Sequence, residues 1–422
     1  MRKVLIITYY WPPAGGPGVQ RWLKFVKYLP EFGVEPLVYV PENPSYPIMD
    51  EALLAEVPSG VQVIRRPIVE PYGWASILFR KRTRTISSGL IREKNPSLVE
   101  RALLWLRGNL FIPDARKYWV GPSVSYLGKL IEQEGIGTVI SSGPPHSLHL
   151  IGLGLKKKWD IQWIADFRDP WTTIGYHEKL RLTPYARKRH LALESRVLQG
   201  ADKIVVTSGT TAEEFRVLND RPIKVITNGY DTAATVRGLD REFTISHIGS
   251  LLGGRNPHGL WKAIGELLVE NREFADHLKI QLAGVVGEDV LQSLAQHKLE
   301  PYVAKLGYIP HDLVTALQAR SQVLLLLEID SPRTRGIIPG KLFEYMQAER
   351  PILALGPKDW EAGSMVAASA AGAFLGHGEV KAIKAVLLDW FSAYQKSGLR
   401  CPAQDIGKYH RRALTESLVK FM

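Results

Sequence analysis

Short runs of consecutive apolar residues recur along this chain, separated by stretches whose apolar positions are spaced three and four apart. In the first half the runs are Val4–Thr8, Glu35–Val40, Val61–Ile64, Thr138–Ser142, Trp163–Asp166, Lys203–Thr207 and Lys224–Thr227. In the second they are Thr244–Ile248, Lys279–Ala283, Val303–Leu306, Gln322–Glu328 and Pro351–Leu355. Runs this short and this apolar read as strands covered on both faces, and the spacing of stretches such as Gly18–Leu29 and Leu260–Asn271 predicts helices between them. Alternating strand and helix predicts an α/β chain of doubly wound parallel sheets, and this many strands predicts two of them. Patterning weakens over Thr232–Glu242, just after "VITNGYD". The expected division is therefore a first domain over residues 1–235 and a second over 236–404, with a last helix at about 405–422 packing back on the first.

Length supports this division, because 422 residues exceed what one hydrophobic core ordinarily serves. Hydrophobic residues make up 45% and charged residues 23%, a balance suited to soluble globular domains. Cys401 is the single cysteine. It leaves no internal disulfide and fits a reducing compartment. The apolar run near the start is too short for a signal peptide, and none reaches the roughly 18 residues of a membrane span. A cytoplasmic protein is expected.

Charge changes the picture in one place. Residues 1–231 hold 32 Lys and Arg against 22 Asp and Glu, which is ten of the chain's net twelve positive charges. The segment 79–118 mixes basic residues, Arg80, Lys81, Arg82 and Arg84 among them, with Leu, Ile, Phe and Trp. Leu98, Ala102, Trp105 and Leu106 would share one helical face there. Such a segment suits an anionic membrane surface; a helical hairpin packed on the domain is the alternative. Nucleic acid is not expected as a partner, since no recognition module accompanies the charge.

The candidate chemistry sits where strands are expected to end. In "YYWPPAGGPGVQRW", Gly15, Gly16 and Gly18 leave backbone bare before a helix, a device that presents N–H groups to an anion. The spacing matches neither a P-loop nor a dinucleotide fingerprint, so a structural turn competes with an anion cradle. "SSGPPHSLHLIG" places His146 at the next strand end, as a hydrogen-bonding or proton-carrying group or as a simple helix cap. "ADFRDPW" brings Asp166 and Arg168 together, to orient an acceptor or to form an internal ion-pair network. In the second half, "HIGSLLGGRNP" sets Arg255 beside bare backbone, where a guanidinium fork suits phosphate. "RGIIPGKLFEYMQAERPILAL" carries Lys341 and Glu344 in the first turns of a short helix. The lysine could meet phosphate and the carboxylate a ribose diol, or the two could be a solvated ion pair.

Taken together, "YYWPPAGGPGVQR", "PPHSLHLIG", "ADFRDPW", "ITNGYD", "GSLLGGRNP", "KLGYIPHDLVTAL" and "IPGKLFEYMQAERPILAL" resemble the retaining family-4 glycosyltransferases of the GT-B fold, over essentially the whole chain. The resemblance implies two facing Rossmann-like domains with an interdomain cleft, acceptor on the first and nucleotide-sugar donor mainly on the second. It implies Gly15 and Gly16 at the donor diphosphate, His146 near the donor sugar, Arg255 and Lys341 at the phosphates, and Glu344 on the ribose. Asn228 of "ITNGYD" and Gly249 of "GSLLGGRNP" join the nucleotide side, and Asp166 and Arg168 the acceptor side. His146, Arg255 and Lys341 become the catalytic candidates. The family often has a pair of glutamates, and the first would stand where this chain has Gly336, which leaves sugar contacts to the backbone of Gly336–Ile338 or to Arg335. No Asp-x-Asp metal motif is present, so neither a metal nor another cofactor is expected. The implied reaction is sugar transfer from a nucleotide-diphosphate sugar to a saccharide or lipid-linked acceptor in cell-surface polysaccharide or glycoconjugate synthesis. A GT-B sugar-nucleotide epimerase is the alternative among enzymes; a membrane-associated scaffold with a decayed site is the alternative outside them.

Overall fold

A computed structural model describes residues 1–70, 98–175, 177, 180–231, 238–397 and 399–422. The chain forms two compact units, Met1–Asn228 with Arg411–Met422, and Gly229–His410. The expected seam between 235 and 236 falls outside the described residues, as do residues 79–97 of the basic segment.

The first unit holds a seven-stranded sheet: β1 (Arg2–Ile7), β2 (Val34–Pro41), β3 (Gln62–Arg66), β4 (Thr138–Gly143), β5 (Gln162–Phe167), β6 (Lys203–Val206) and β7 (Ile223–Val225). Their order is β3-β2-β1-β4-β5-β6-β7, all parallel. Alternation along each strand feeds two cores. Leu5 and Ile7 point into one, with Leu37, Val139 and Ala165; Val4 and Ile6 point into the other, with Val38, Ile140 and Ile164. The second core is completed from the far end of the chain, where the helix Arg411–Phe421 contributes Leu414 and Leu418. Arg411 donates from Nη1 to the Gln20 carbonyl at 3.1 Å, and Lys203 Nζ to the Phe421 carbonyl at 2.6 Å.

The second unit holds β8 (Phe243–Ile248), β9 (Leu278–Ala283), β10 (Val303–Gly307), β11 (Val323–Leu327), β12 (Ile352–Gly356) and β13 (Gly372–Gly376). Their order is β10-β9-β8-β11-β12-β13, again all parallel. Ile245, Leu325 and Leu353 face one core, and Leu324, Leu326 and Ala354 the other. The sequence pattern does not show β13. Its "GAFLG" is bounded by glycine and follows the small-residue helix Glu361–Ala368, so it lacks the branched run that marks the other strands.

In each sheet the strand order reverses once, between β1 and β4 and between β8 and β11. Ligands of open α/β sheets bind outside the strand ends at such a reversal.

Candidate functional site

In the first unit, the glycine-rich loop leaves β1 and "GPPH" leaves β4, so both flank the reversal point. The first loop is tied down by backbone bonds from Gly15 N to the Ile48 carbonyl, 2.9 Å, and from Asp50 N to the Pro13 carbonyl, 2.8 Å. A Cβ at Gly15 would lie 2.8 Å from Ile48 Cγ2, so this glycine allows close packing. Gly16 has φ +88° and ψ 177°, a conformation nearly confined to glycine, and precedes the helix Pro17–Tyr28.

His146 is buried, its ring stacked on Trp171 at 4.8 Å, and neither ring nitrogen has a protein partner. Burial first, then the His149 and His177 charges, hold its pKa well below the ordinary histidine value. Burial thus favours the neutral imidazole in the free protein. Its side chain does not cap the helix. That task falls to Asp114, which accepts from Ser147 N at 2.9 Å and Ser147 Oγ at 2.8 Å, a pairing that a separation of 33 residues hides from the sequence.

Asp166 and Arg168 are bonded within the first unit. The Asp166 carboxylate, 1% exposed, accepts from Arg21 Nη2 (2.8 Å), Trp22 Nε1 (2.9 Å) and Ser142 Oγ (2.7 Å). Burial pushes its pKa up, but the Arg21 guanidinium and these donors more than offset that and hold it below the ordinary value. Arg168 donates to the carbonyls of Gly18 (2.8 Å), Gly143 (3.3 Å) and Pro144, lacing the two loops together. In the free protein both side chains are bonded to internal partners. Asn228 is half-buried, next to Thr227, whose carbonyl accepts from Arg21 Nη1 at 3.0 Å.

In the second unit, four of the expected residues gather at the reversal between β8 and β11. Gly249 leaves β8 with φ +121°, and a Cβ there would lie 3.4 Å from Lys341 Nζ. Lys341 donates to the Ile248 carbonyl at 2.9 Å. Burial, followed by the Arg255 charge, lowers its pKa to about 7, opposed by Glu328 and Glu344. Glu344 accepts from Gln318 Nε2 at 2.9 Å through Oε2. Arg255, on the turn Gly253–Arg255, is held by a carboxylate that the motif reading passed over: Nε reaches Glu328 Oε1 and Nη2 reaches Glu328 Oε2, each at 3.1 Å. Arg255 is thus one half of an ion pair, not an unpaired phosphate cation. Gly336 and Ile338, both half-buried, lie on the loop entering the helix Lys341–Gln347. Trp360 fixes that loop, with Nε1 donating to the Ile337 carbonyl at 2.7 Å. Among the described residues, no group of three or more His, Cys, Asp or Glu could hold a metal ion.

The sequence matches the model of Glycosyltransferase Family 4 over residues 91–234. That match spans about a third of the chain, and the architecture is that of the GT-B fold. Three solved structures share the fold over the full length of this chain. A sucrose-phosphate synthase from Thermosynechococcus elongatus superposes with TM-score 0.62 at 12% identity, covering 100% of this chain and 98% of its own. HepE from Anabaena, solved in complex with UDP-glucose, gives 0.61 at 14% identity, covering 100% and 99%. The lipopolysaccharide outer core galactosyltransferase WaaB gives 0.59 at 13% identity, covering 100% and 98%. No curated protein sequence matches significantly.

Proposed function

We propose that this protein transfers a sugar from a nucleoside-diphosphate sugar to a saccharide or lipid-linked acceptor, with the donor nucleotide held by the second unit. The observation that carries this reading is the convergence of Arg255, Lys341 and Glu344 on the strand ends of one reversal point. Two cationic side chains there suit a diphosphate, and Glu344 Oε1, not engaged by Gln318, suits the ribose hydroxyls. As the bond from the anomeric carbon to the phosphate oxygen breaks, negative charge grows on the leaving diphosphate. Donors already aimed at it contribute on the order of 3 kcal/mol each. Arg255 and Lys341 fill that role, and the reaction as proposed calls on no metal.

Retention follows if the acceptor attacks from the face the diphosphate leaves: the acceptor oxygen bonds to the anomeric carbon and its proton passes to a diphosphate oxygen. His146 then serves as a neutral hydrogen-bonding contact. On the second unit the backbone at Gly336 and Ile338 stands in for the missing glutamate, and Gly15, Gly16 and Asn228 stay candidate contacts on the first. The acceptor side is open to reassignment, because Asp166 and Arg168 are committed elsewhere.

The reading extends to the cytoplasmic face of an anionic membrane. Support comes from the basic first half and from the helix Leu98–Leu110, which buries Leu104 against Leu180 but leaves Ala102, Trp105, Leu106 and Leu110 exposed. Among the described residues no helix is long and apolar enough to cross a membrane.

The site is tested by titrating the protein with UDP, GDP and ADP. One of them is expected to bind, and Glu344→Ala to weaken it about tenfold through the lost ribose bonds. Binding of none, or binding that Glu344→Ala leaves unchanged, contradicts the site as drawn.

A further inference from the structure

Among the described residues at the reversal point of the second sheet, Glu328 is the carboxylate whose side chain is fully buried, and the function proposed above gives it no task. It follows β11 directly and is 0% exposed; Oε1 also accepts from Ile329 N at 2.8 Å, and its main-chain carbonyl accepts from His377 Nε2 at 2.7 Å. Arg255, in contrast, sits on a glycine turn with its side chain 39% exposed. The buried partner is bonded in place and the exposed partner is the one that needs fixing.

We propose that Glu328 is a positioning residue for phosphate recognition, gripping Nε and Nη2 of Arg255 so that the Nη1 edge faces the diphosphate of a bound nucleotide. The inference rests on the nucleotide-sugar reading of this site. A negative charge near an anion site needs a reason, and the geometry supplies one. Both carboxylate oxygens bind the Nε and Nη2 side of the guanidinium, which fixes its plane and leaves Nη1 outside the ion pair. A guanidinium recognises phosphate through directed N–H bonds, so fixing its plane saves the ordering that binding would otherwise require. Gly249 and Lys341 border the same place, and the bare backbone there leaves room for the phosphates.

This role makes a prediction opposite in sign to simple charge counting. Removing a carboxylate from beside a phosphate site should strengthen anion binding by Coulomb attraction alone; removing a positioning group should weaken it. The experiment measures UDP and uridine binding to the wild-type protein, Glu328→Gln, Arg255→Ala and the double variant, with thermal unfolding to confirm folding. GDP with guanosine, or ADP with adenosine, replaces the pair if that is the nucleotide the wild type binds. Glu328→Gln is expected to weaken UDP about tenfold, leave uridine unchanged, and add nothing in the Arg255→Ala background. UDP binding that tightens or holds, an equal loss for uridine, or additive losses would overturn the proposal. If Glu328→Gln does not fold, Arg255→Lys carries the same test, since it keeps the charge and loses the fork; it must show the same loss for UDP alone, and unchanged UDP binding overturns the proposal. A wild-type protein that binds none of the three nucleotides removes the nucleotide reading and this inference with it, whereas nucleotide binding with an indifferent Glu328 removes the inference only.

Discussion

At Lys341, burial and the neighbouring Arg255 charge bring the ammonium's pKa from 10.5 down to about 7, so the free protein holds this proton only partly near neutral pH. A diphosphate beside it would favour the charged form and raise that pKa. The sign follows: above about pH 7 the complex holds a proton that the free protein lacks, so binding takes up a proton and weakens as pH rises; well below pH 7 both states are protonated and this dependence disappears. At about pH 8, calorimetry in buffers of differing ionisation enthalpy is expected to show uptake approaching one proton, and affinity to fall by up to tenfold per further pH unit. Lys341→Met should lose both effects. Proton uptake that survives in Lys341→Met would assign the proton elsewhere. Burial combined with cationic neighbours is not written in "IPGKLFEY", where Lys341 and Glu344 also read as a solvated ion pair. In the structure Lys341 bonds a main-chain carbonyl and Glu344 bonds Gln318.

Strand ends and the loops they release set what each motif can do. The spacing of apolar runs shows where β1, β4 and β5 end, and so where "AGGPG", "GPPH" and "DFRDP" sit. It does not show what those side chains bond, because the partners are remote: Arg21 lies 145 residues from Asp166, and Arg255 lies 73 from Glu328. The reading of "DFRDP" accordingly left an internal network and an acceptor contact open, and in the free protein donors surround Asp166. Asp166→Asn leaves the Arg21 guanidinium, 2% exposed, without its counter-charge. The expected cost is about 3–5 kcal/mol, read from chemical denaturation. An acceptor contact would behave oppositely, raising the acceptor KM at unchanged stability. Glu328 escaped notice for a related reason, since one carboxylate closing "QVLLLLE" looks like a strand reaching solvent.

Over the whole molecule, composition and alternation are enough to predict two parallel doubly wound sheets, because each needs both faces covered and each strand is a short apolar run. Strand order, and with it the two reversal points, comes only from pairing. The expected seam lay in weak patterning, and residues 232–237 there are outside those described. The substrate is least legible: Gly336 stands where the resembled family often has a glutamate, and no side chain in this sequence announces the sugar. What most needs testing is therefore sugar transfer itself. Its most direct test is a mass-spectrometric assay in which nucleotide sugars carrying UDP, GDP or ADP are incubated with the protein and a panel of saccharide and lipid-linked acceptors. One donor is expected to yield its free nucleoside diphosphate together with an acceptor heavier by one sugar residue, each requiring the other. A donor recovered with its sugar epimerised and no acceptor consumed, or no turnover by a protein that binds no nucleotide, would contradict transfer.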